Sequence, residues 1–121
     1  MAKKILIVED EEEFFLFYTI MLEDTGYTLI RAMNGEEAFE KTKKEKPDLI
    51  ILDLLLDQLA GDIFLQQLKS NPVFAHIPVI IASSFSPRSF KEIFELDPHL
   101  TFLEKPFTQE KLLTEIRSKL E

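Results

Sequence analysis

Short apolar runs alternate with longer amphipathic stretches along the chain. The runs Ile5–Val8, Tyr27–Ala32, Leu49–Asp53, Val79–Ser83 and Leu100–Leu103 read as strands. Those beginning at Ile5, Leu49 and Val79 are nearly continuous in apolar residues, as expected where a parallel sheet is covered on both faces. Helix signals lie between them. Asn34-Gly35-Glu36-Glu37 gives an N-cap with an acid at the third helical position. Ser86-Pro87 supplies a cap followed by a proline suited to the first turn. Thr108 caps a last helix whose Leu112, Leu113, Ile116 and Leu120 share one face. Pro47 and Asn71-Pro72 close the helices before them.

The first helix is harder to orient. Glu11-Glu12-Glu13 complements the positive end of its dipole. At about 100° per residue, Phe14, Phe17, Tyr18, Met21 and Leu22 cluster on one side and can face the sheet. Leu16 and Ile20 then lie opposite, with Phe15 at the margin, where a solvent-facing helix normally carries charge. Phe39, Phe64, Phe90 and Phe94 fall on apolar helix faces and read as core.

A strand followed by a helix, five times over, predicts an open α/β sandwich with a parallel sheet and right-handed crossovers. Internal repeats, linkers and low-complexity tracts are lacking, and residues 1–121 read as one domain.

Composition removes several function classes. The chain is 45% hydrophobic and 30% charged, which fits an ordinary globular protein. No apolar run approaches the roughly 20 residues of a membrane helix. The run after Met1-Ala2-Lys3-Lys4 is too short for a signal peptide, so a cytoplasmic location and no membrane partner are expected. Without cysteine there is no disulfide framework. The net charge of −8 argues against direct nucleic-acid binding. His76 and His99 read as surface or loop residues and, without cysteine, make a structural zinc site implausible.

Ligands of open parallel sheets bind outside the carboxyl ends of the strands. Strand one ends in Glu9-Asp10, strand three in Asp53, strand four in Ser83-Ser84, and strand five runs into Lys105-Pro106. Three acids, a hydroxyl and an ammonium thus converge on one edge. Clustered carboxylates raise one another's pKa unless a cation neutralises them. A few oxygen ligands suit magnesium, which keeps several waters and commonly bridges to phosphate. The set looks like a nucleophilic carboxylate among groups that stabilise a transferring phosphoryl. Asp48 and Asp57 read as solvated loop acids.

Four segments then carry a family resemblance. They are Ile5–Asp10, Pro47–Leu54, Pro78–Ser83 and Phe102–Phe107, with Gly26-Tyr27 before strand two and Asn34–Ala38 after it. Together they resemble the receiver domains of two-component response regulators over essentially the whole chain. The resemblance implies a flavodoxin-like (βα)5 three-layer sandwich with a five-stranded parallel sheet of order 2-1-3-4-5. It implies that Asp53 accepts a phosphoryl group from a histidine kinase or histidine phosphotransfer protein, with Mg2+ as cofactor. Asp10 would bind the metal directly, Glu9 through water, and Leu55 through its backbone carbonyl, beside Asp53 itself. Ser83 and Lys105 would contact the phosphoryl group, and Phe102 occupies the aromatic switch position. Such a domain catalyses only its own phosphorylation and dephosphorylation. The Lys105-Pro106 bond is expected to be cis. Phe15, Leu16 and Ile20 would form the docking surface for the phosphohistidine partner, and a phosphorylation-linked dimer is compatible with the family.

Asp57 stands where the family usually has proline, Ala60 where an acid or serine is common, and Pro98-His99 where Gly-Ala is usual. Phe102 lacks the hydroxyl of the commoner tyrosine, so its switching rests on ring packing. The apolar Leu55, two positions past the acceptor, and Phe85, two past Ser83, are expected to flank the aspartyl-phosphate and predict a water-shielded, comparatively long-lived phosphate. Two other classes share parts of this pattern: a phosphorylation-independent interaction module with a retained receiver fold, and a magnesium-dependent phosphohydrolase. The first would be favoured by loss of Asp10, Asp53 or Lys105. The second usually needs a substrate cap, for which the chain has no room.

Overall fold

The computed structural model describes residues 2–53, 58–84 and 100–121. Among them the elements run β1 (Lys4–Val8), α1 (Glu12–Met21), β2 (Thr28–Ala32), α2 (Gly35–Glu45), β3 (Leu49–Asp53), α3 (Gln58–Ser70), β4 (Val79–Ser83), β5 (Thr101–Glu104) and α4 (Gln109–Leu120). Every strand pairs in parallel, in the order β2-β1-β3-β4-β5. The fold and strand order are those expected of a flavodoxin-like sandwich. The Ser86-Pro87 helix signal and the core positions Phe90 and Phe94 lie outside the described residues, as do Leu55, Asp57, Phe85, Pro98 and His99.

Alternation along the strands builds the three layers. Leu6, Val8, Ile50, Leu52 and Ile81 point to one face of the sheet, where they meet Ala38 of α2 and Phe64, Leu65 and Leu68 of α3. Ile5, Ile7, Leu49, Ile51, Ile80 and Ala82 point to the other, against Tyr18 and Leu22 and against Leu112 and Ile116 of α4. Both faces of β1, β3 and β4 are therefore covered, which is why those segments are apolar without interruption. All the strand residues of β4 are buried, Ser83 included.

Helix ends follow local chemistry. The Asn34 side chain accepts a hydrogen bond from the Glu37 N–H at 2.8 Å, and Thr108 Oγ1 accepts one from the Lys111 N–H at 3.1 Å. These satisfy N–H groups that the first helical turn leaves unpaired. Helix α2 ends at Lys46, in the left-handed region at φ 50°. Gly26 turns the chain into β2 at φ +83°, where a Cβ would have space but a strained backbone.

Two sequence expectations need correction. Asp48 is not a solvated loop acid: its Oδ2 accepts a hydrogen bond from the Lys4 N–H at 2.8 Å. That bond ties the start of β1 to the approach to β3. Phe17 does not face the sheet and is 53% exposed, because Tyr18 takes the fully buried position on α1. An element apolar nearly all round can turn about its axis at little hydrophobic cost, so packing chose the face.

Candidate functional site

Register places the chemistry. Val8 pairs with Leu52, Leu52 with Ile81, and Ser83 with Glu104. Glu9, Asp53, Ser83 and Lys105 consequently emerge at one edge of the sheet, at the carboxyl ends of β1, β3, β4 and β5. The Lys105 N–H donates to the Ser83 carbonyl at 2.8 Å, extending the ladder one residue past β5, and the Lys105-Pro106 bond that follows is cis, as expected.

The centre of the site is an ion cluster. The Lys105 ammonium donates to Asp53 Oδ1 at 2.6 Å, lies 2.5 Å from Oδ2, and stands 3.4 Å from Glu9 Oε1. The Asp53 and Glu9 side chains are fully buried and that of Lys105 is 5% exposed; the exposure Asp53 has lies in its main chain. Glu9 Oε2 also accepts the Glu11 N–H at 3.3 Å. Arg31 donates from Nε to the Glu9 carbonyl and from Nη2 to that of Asp10, so β2 steadies the chain as it leaves β1.

Helix α1 roofs this cluster with aromatic rings. Lys105 Nζ lies 3.6 Å from the Phe14 ring centroid, a cation–π contact in a largely water-free setting. Phe14, Tyr18 and Phe107 stack edge-on or tilted with centroids 5.3–6.0 Å apart. The Tyr18 hydroxyl donates to Asp53 Oδ2 at 3.2 Å.

Two acids face one base, so the buried cluster carries excess negative charge. Burial pushes the Asp53 carboxyl up to about 8; Lys105 pulls it down, and Glu9 adds to the rise. Burial first, then the charges of Asp53 and Glu9, raise the Tyr18 phenol well above its ordinary range, which keeps it a proton donor.

Of the positions singled out from sequence, the side chains of Glu9, Asp53 and Lys105 meet, and Ser83 is buried beside them with its carbonyl on the Lys105 N–H. Asp10 is exposed. Phe102 is partly buried and packs into the core on the α2–α3 face. Leu55 lies outside the described residues. Leu16 and Ile20 are 56% and 52% exposed, whereas Phe15 packs against the α1-side core with the Arg31 guanidinium 5.1 Å from its ring. Tyr18 and Phe14 went unrecognised as site residues. The available signal was the phenol: on an otherwise apolar helix face, a buried tyrosine hydroxyl needs a partner.

Among the described residues, no three acidic or histidine side chains are grouped to hold a metal. Glu9 and Asp53 nevertheless offer carboxylate oxygens only, buried together and under-neutralised by a single lysine. Those are donors of the class magnesium takes.

The model of the response regulator receiver domain family matches residues 5–117. The chain belongs to that family. Its role is phosphorylation-based signalling in two-component systems, as a signalling domain rather than a classical enzyme. Receivers are phosphorylated by histidine kinases and can be joined to effector domains. The polar-differentiation response regulator DivK of Brucella anthropi is 31% identical over 120 residues, covering 99% of this chain and 98% of DivK. The signal receiver domain of a signal transduction histidine kinase from Syntrophus aciditrophicus has a TM-score of 0.86 at 33% identity, covering 98% of this receiver and 90% of that chain. The receiver domain of sensor histidine kinase PA1611 from Pseudomonas aeruginosa, which holds magnesium in its active-site cleft, shares the fold with a TM-score of 0.86 at 21% identity, over 99% of this chain and 98% of that one. Among the described residues no helix is long and apolar enough to cross a membrane.

Proposed function

We propose that residues 1–121 form a single receiver domain that accepts a phosphoryl group on Asp53 and switches conformation in response. The observation that carries this reading is the buried Lys105 ammonium on both Asp53 oxygens, at the carboxyl edge of a receiver sheet. An attacking carboxylate oxygen needs an adjacent cation to take up the charge of the incoming phosphoryl, and Lys105 stands there before transfer. Glu9, Asp10, Asp53 and the Leu55 carbonyl would hold Mg2+, which supplies further charge neutralisation on the phosphoryl oxygens. Ser83 donates to the same oxygens, and Phe102 changes its packing when that hydroxyl moves. The domain thereby catalyses its own phosphorylation and dephosphorylation and needs no general base for transfer.

The phosphodonor is a histidine kinase or histidine phosphotransfer protein. Its docking surface is the outer face of α1, where Leu16, Phe17 and Ile20 are each more than half exposed. Phe17 takes the place that the sequence assigned to Phe15. The same helix contacts the acceptor through Tyr18, so a helical partner laid against it is brought to the phosphorylation edge.

One experiment tests acceptor and docking face together. Acetyl phosphate with magnesium adds a single phosphoryl by intact mass, and Asp53→Asn or omission of the metal abolishes it. The double variant Leu16→Glu, Ile20→Lys labels normally with acetyl phosphate but slowly from a phosphohistidine protein. Equal labelling of Asp53→Asn removes the acceptor assignment, and equal transfer to the double variant removes the docking face.

A further inference from the structure

Tyr18 reaches the phosphorylation edge from a helix rather than from a strand end. Its side chain is completely buried, its ring lies 5.3 Å from that of Phe14 and 5.9 Å from that of Phe107, and its hydroxyl donates to Asp53 Oδ2 at 3.2 Å. Packing of the ring on two sides holds the hydroxyl on the oxygen of a carboxylate that, on the reading above, must become an acyl phosphate.

A hydrogen bond to an ionised acceptor is stronger than one to a neutral oxygen. When Oδ2 attacks an acyl phosphate, the Oδ2–P bond forms, the donor's P–O bond breaks, and acetate leaves with the electron pair. The acceptor oxygen loses its charge, and the Tyr18 bond weakens. The same follows if Oδ1 attacks, because the carboxylate charge leaves both oxygens. In hydrolysis a water oxygen adds to phosphorus, the P–O bond to Asp53 breaks, and the electron pair returns to the carboxylate as inorganic phosphate departs. The Tyr18 bond is then regained. Lys105 differs: after transfer it retains an anion to pair with, the phosphoryl group itself.

We infer that Tyr18 is a positioning residue that stabilises the free carboxylate of Asp53 over its phosphorylated form, opposing acceptance and promoting release. This rests on Asp53 being the acceptor. Tyr18→Phe keeps the ring and removes only the donor. With acetyl phosphate and magnesium, the ratio of labelling rate to decay rate should rise about tenfold, in line with a hydrogen bond to a charged group. Affinity for beryllofluoride, which forms an O–Be bond to the carboxylate in place of O–P, should rise by a similar factor. An unchanged or lower ratio, in a variant whose thermal unfolding shows it folded, overturns the inference. Loss of packing alone would not strengthen beryllofluoride binding. If the wild-type protein fails to label, or labels equally as Asp53→Asn, the receiver reading fails first; if it labels on Asp53 and Tyr18→Phe behaves like it, only this role for Tyr18 fails.

Discussion

The two ends of the sheet each set a lysine against acids, with opposite results. At the amino ends of the strands, Lys4 Nζ lies 3.6 Å from Glu45 Oε1, with side chains 42% and 32% exposed. Its N–H is held by Asp48, and its ammonium also donates to the Glu45 carbonyl at 3.2 Å. At the carboxyl ends, Lys105 is buried with Asp53 and Glu9 under the rings of α1. Water screens the first cluster, so its charges are nearly as comfortable apart as together. It acts as a clasp between the start of β1 and the end of α2. Burial removes that screening from the second cluster and leaves two acids to share one cation. Unbalanced charge in a dry site is poor for stability and useful for chemistry, since an incoming metal or phosphoryl group finds groups already placed to receive it.

The largest effect expected from this contrast belongs to Asp53→Asn. In the metal-free protein, burial pushes the Asp53 carboxyl up from 3.8 to about 8, Lys105 opposing the rise and Glu9 adding to it. An unfolded chain ionises there from about pH 4, so it binds fewer protons than the folded one across that window. Stability contributed by this group therefore falls as pH rises from about 4 to about 8. Asp53→Asn leaves Lys105 paired with Glu9 and removes the excess acid. It should stabilise the metal-free protein by about 2 kcal/mol or more at pH 8 and by little at pH 4. Urea unfolding of both proteins across this range checks it; a difference independent of pH would mean that the carboxyl is ionised throughout.

Metal affinity should show an intermediate effect. Asp10 is exposed, unlike Glu9 and Asp53, so Asp10→Asn should leave the fold intact. If Asp10 is the direct ligand proposed, its loss should weaken magnesium binding by about tenfold or more. Titration followed by the fluorescence of Tyr18 and Tyr27, in a chain without tryptophan, is the measurement. Unchanged affinity would leave Glu9 and Asp53 as the metal's carboxylates.

The smallest effect is expected at the clasp. Lys4→Gln should change stability by no more than about 0.5 kcal/mol and should not alter labelling. A larger loss in denaturant unfolding would show that the exposed cluster is tighter than its 3.6 Å separation indicates.

Much of this architecture was legible residue by residue. The apolar runs located β1, β3 and β4 because a strand covered on both faces has no polar positions to hide. Asn34 and Thr108 announced their helices through cap chemistry confined to one turn. Glu9, Asp53, Ser83 and Lys105 were identified because a parallel sheet necessarily brings its carboxyl ends to one edge. The rotation of α1 was not legible. Its sequence, Glu-Glu-Phe-Phe-Leu-Phe-Tyr-Thr-Ile-Met, offers apolar groups on several sides. Spacing alone could not tell whether Phe17 or Tyr18 would take the innermost place.

What the sequence by itself determined is therefore the layered parallel fold and the identity of the groups gathered at the carboxyl edge of its sheet. Both follow from periodicities and end signals that act over a few residues. The tertiary structure alone decided that Asp48 would clasp β1, that Phe17 would join Leu16 and Ile20 on the outside, and that the Tyr18 hydroxyl would rest on Asp53. Each of these joins residues distant in the chain, or chooses among nearly equivalent helix faces. Only close packing against the other layers can discriminate between such alternatives.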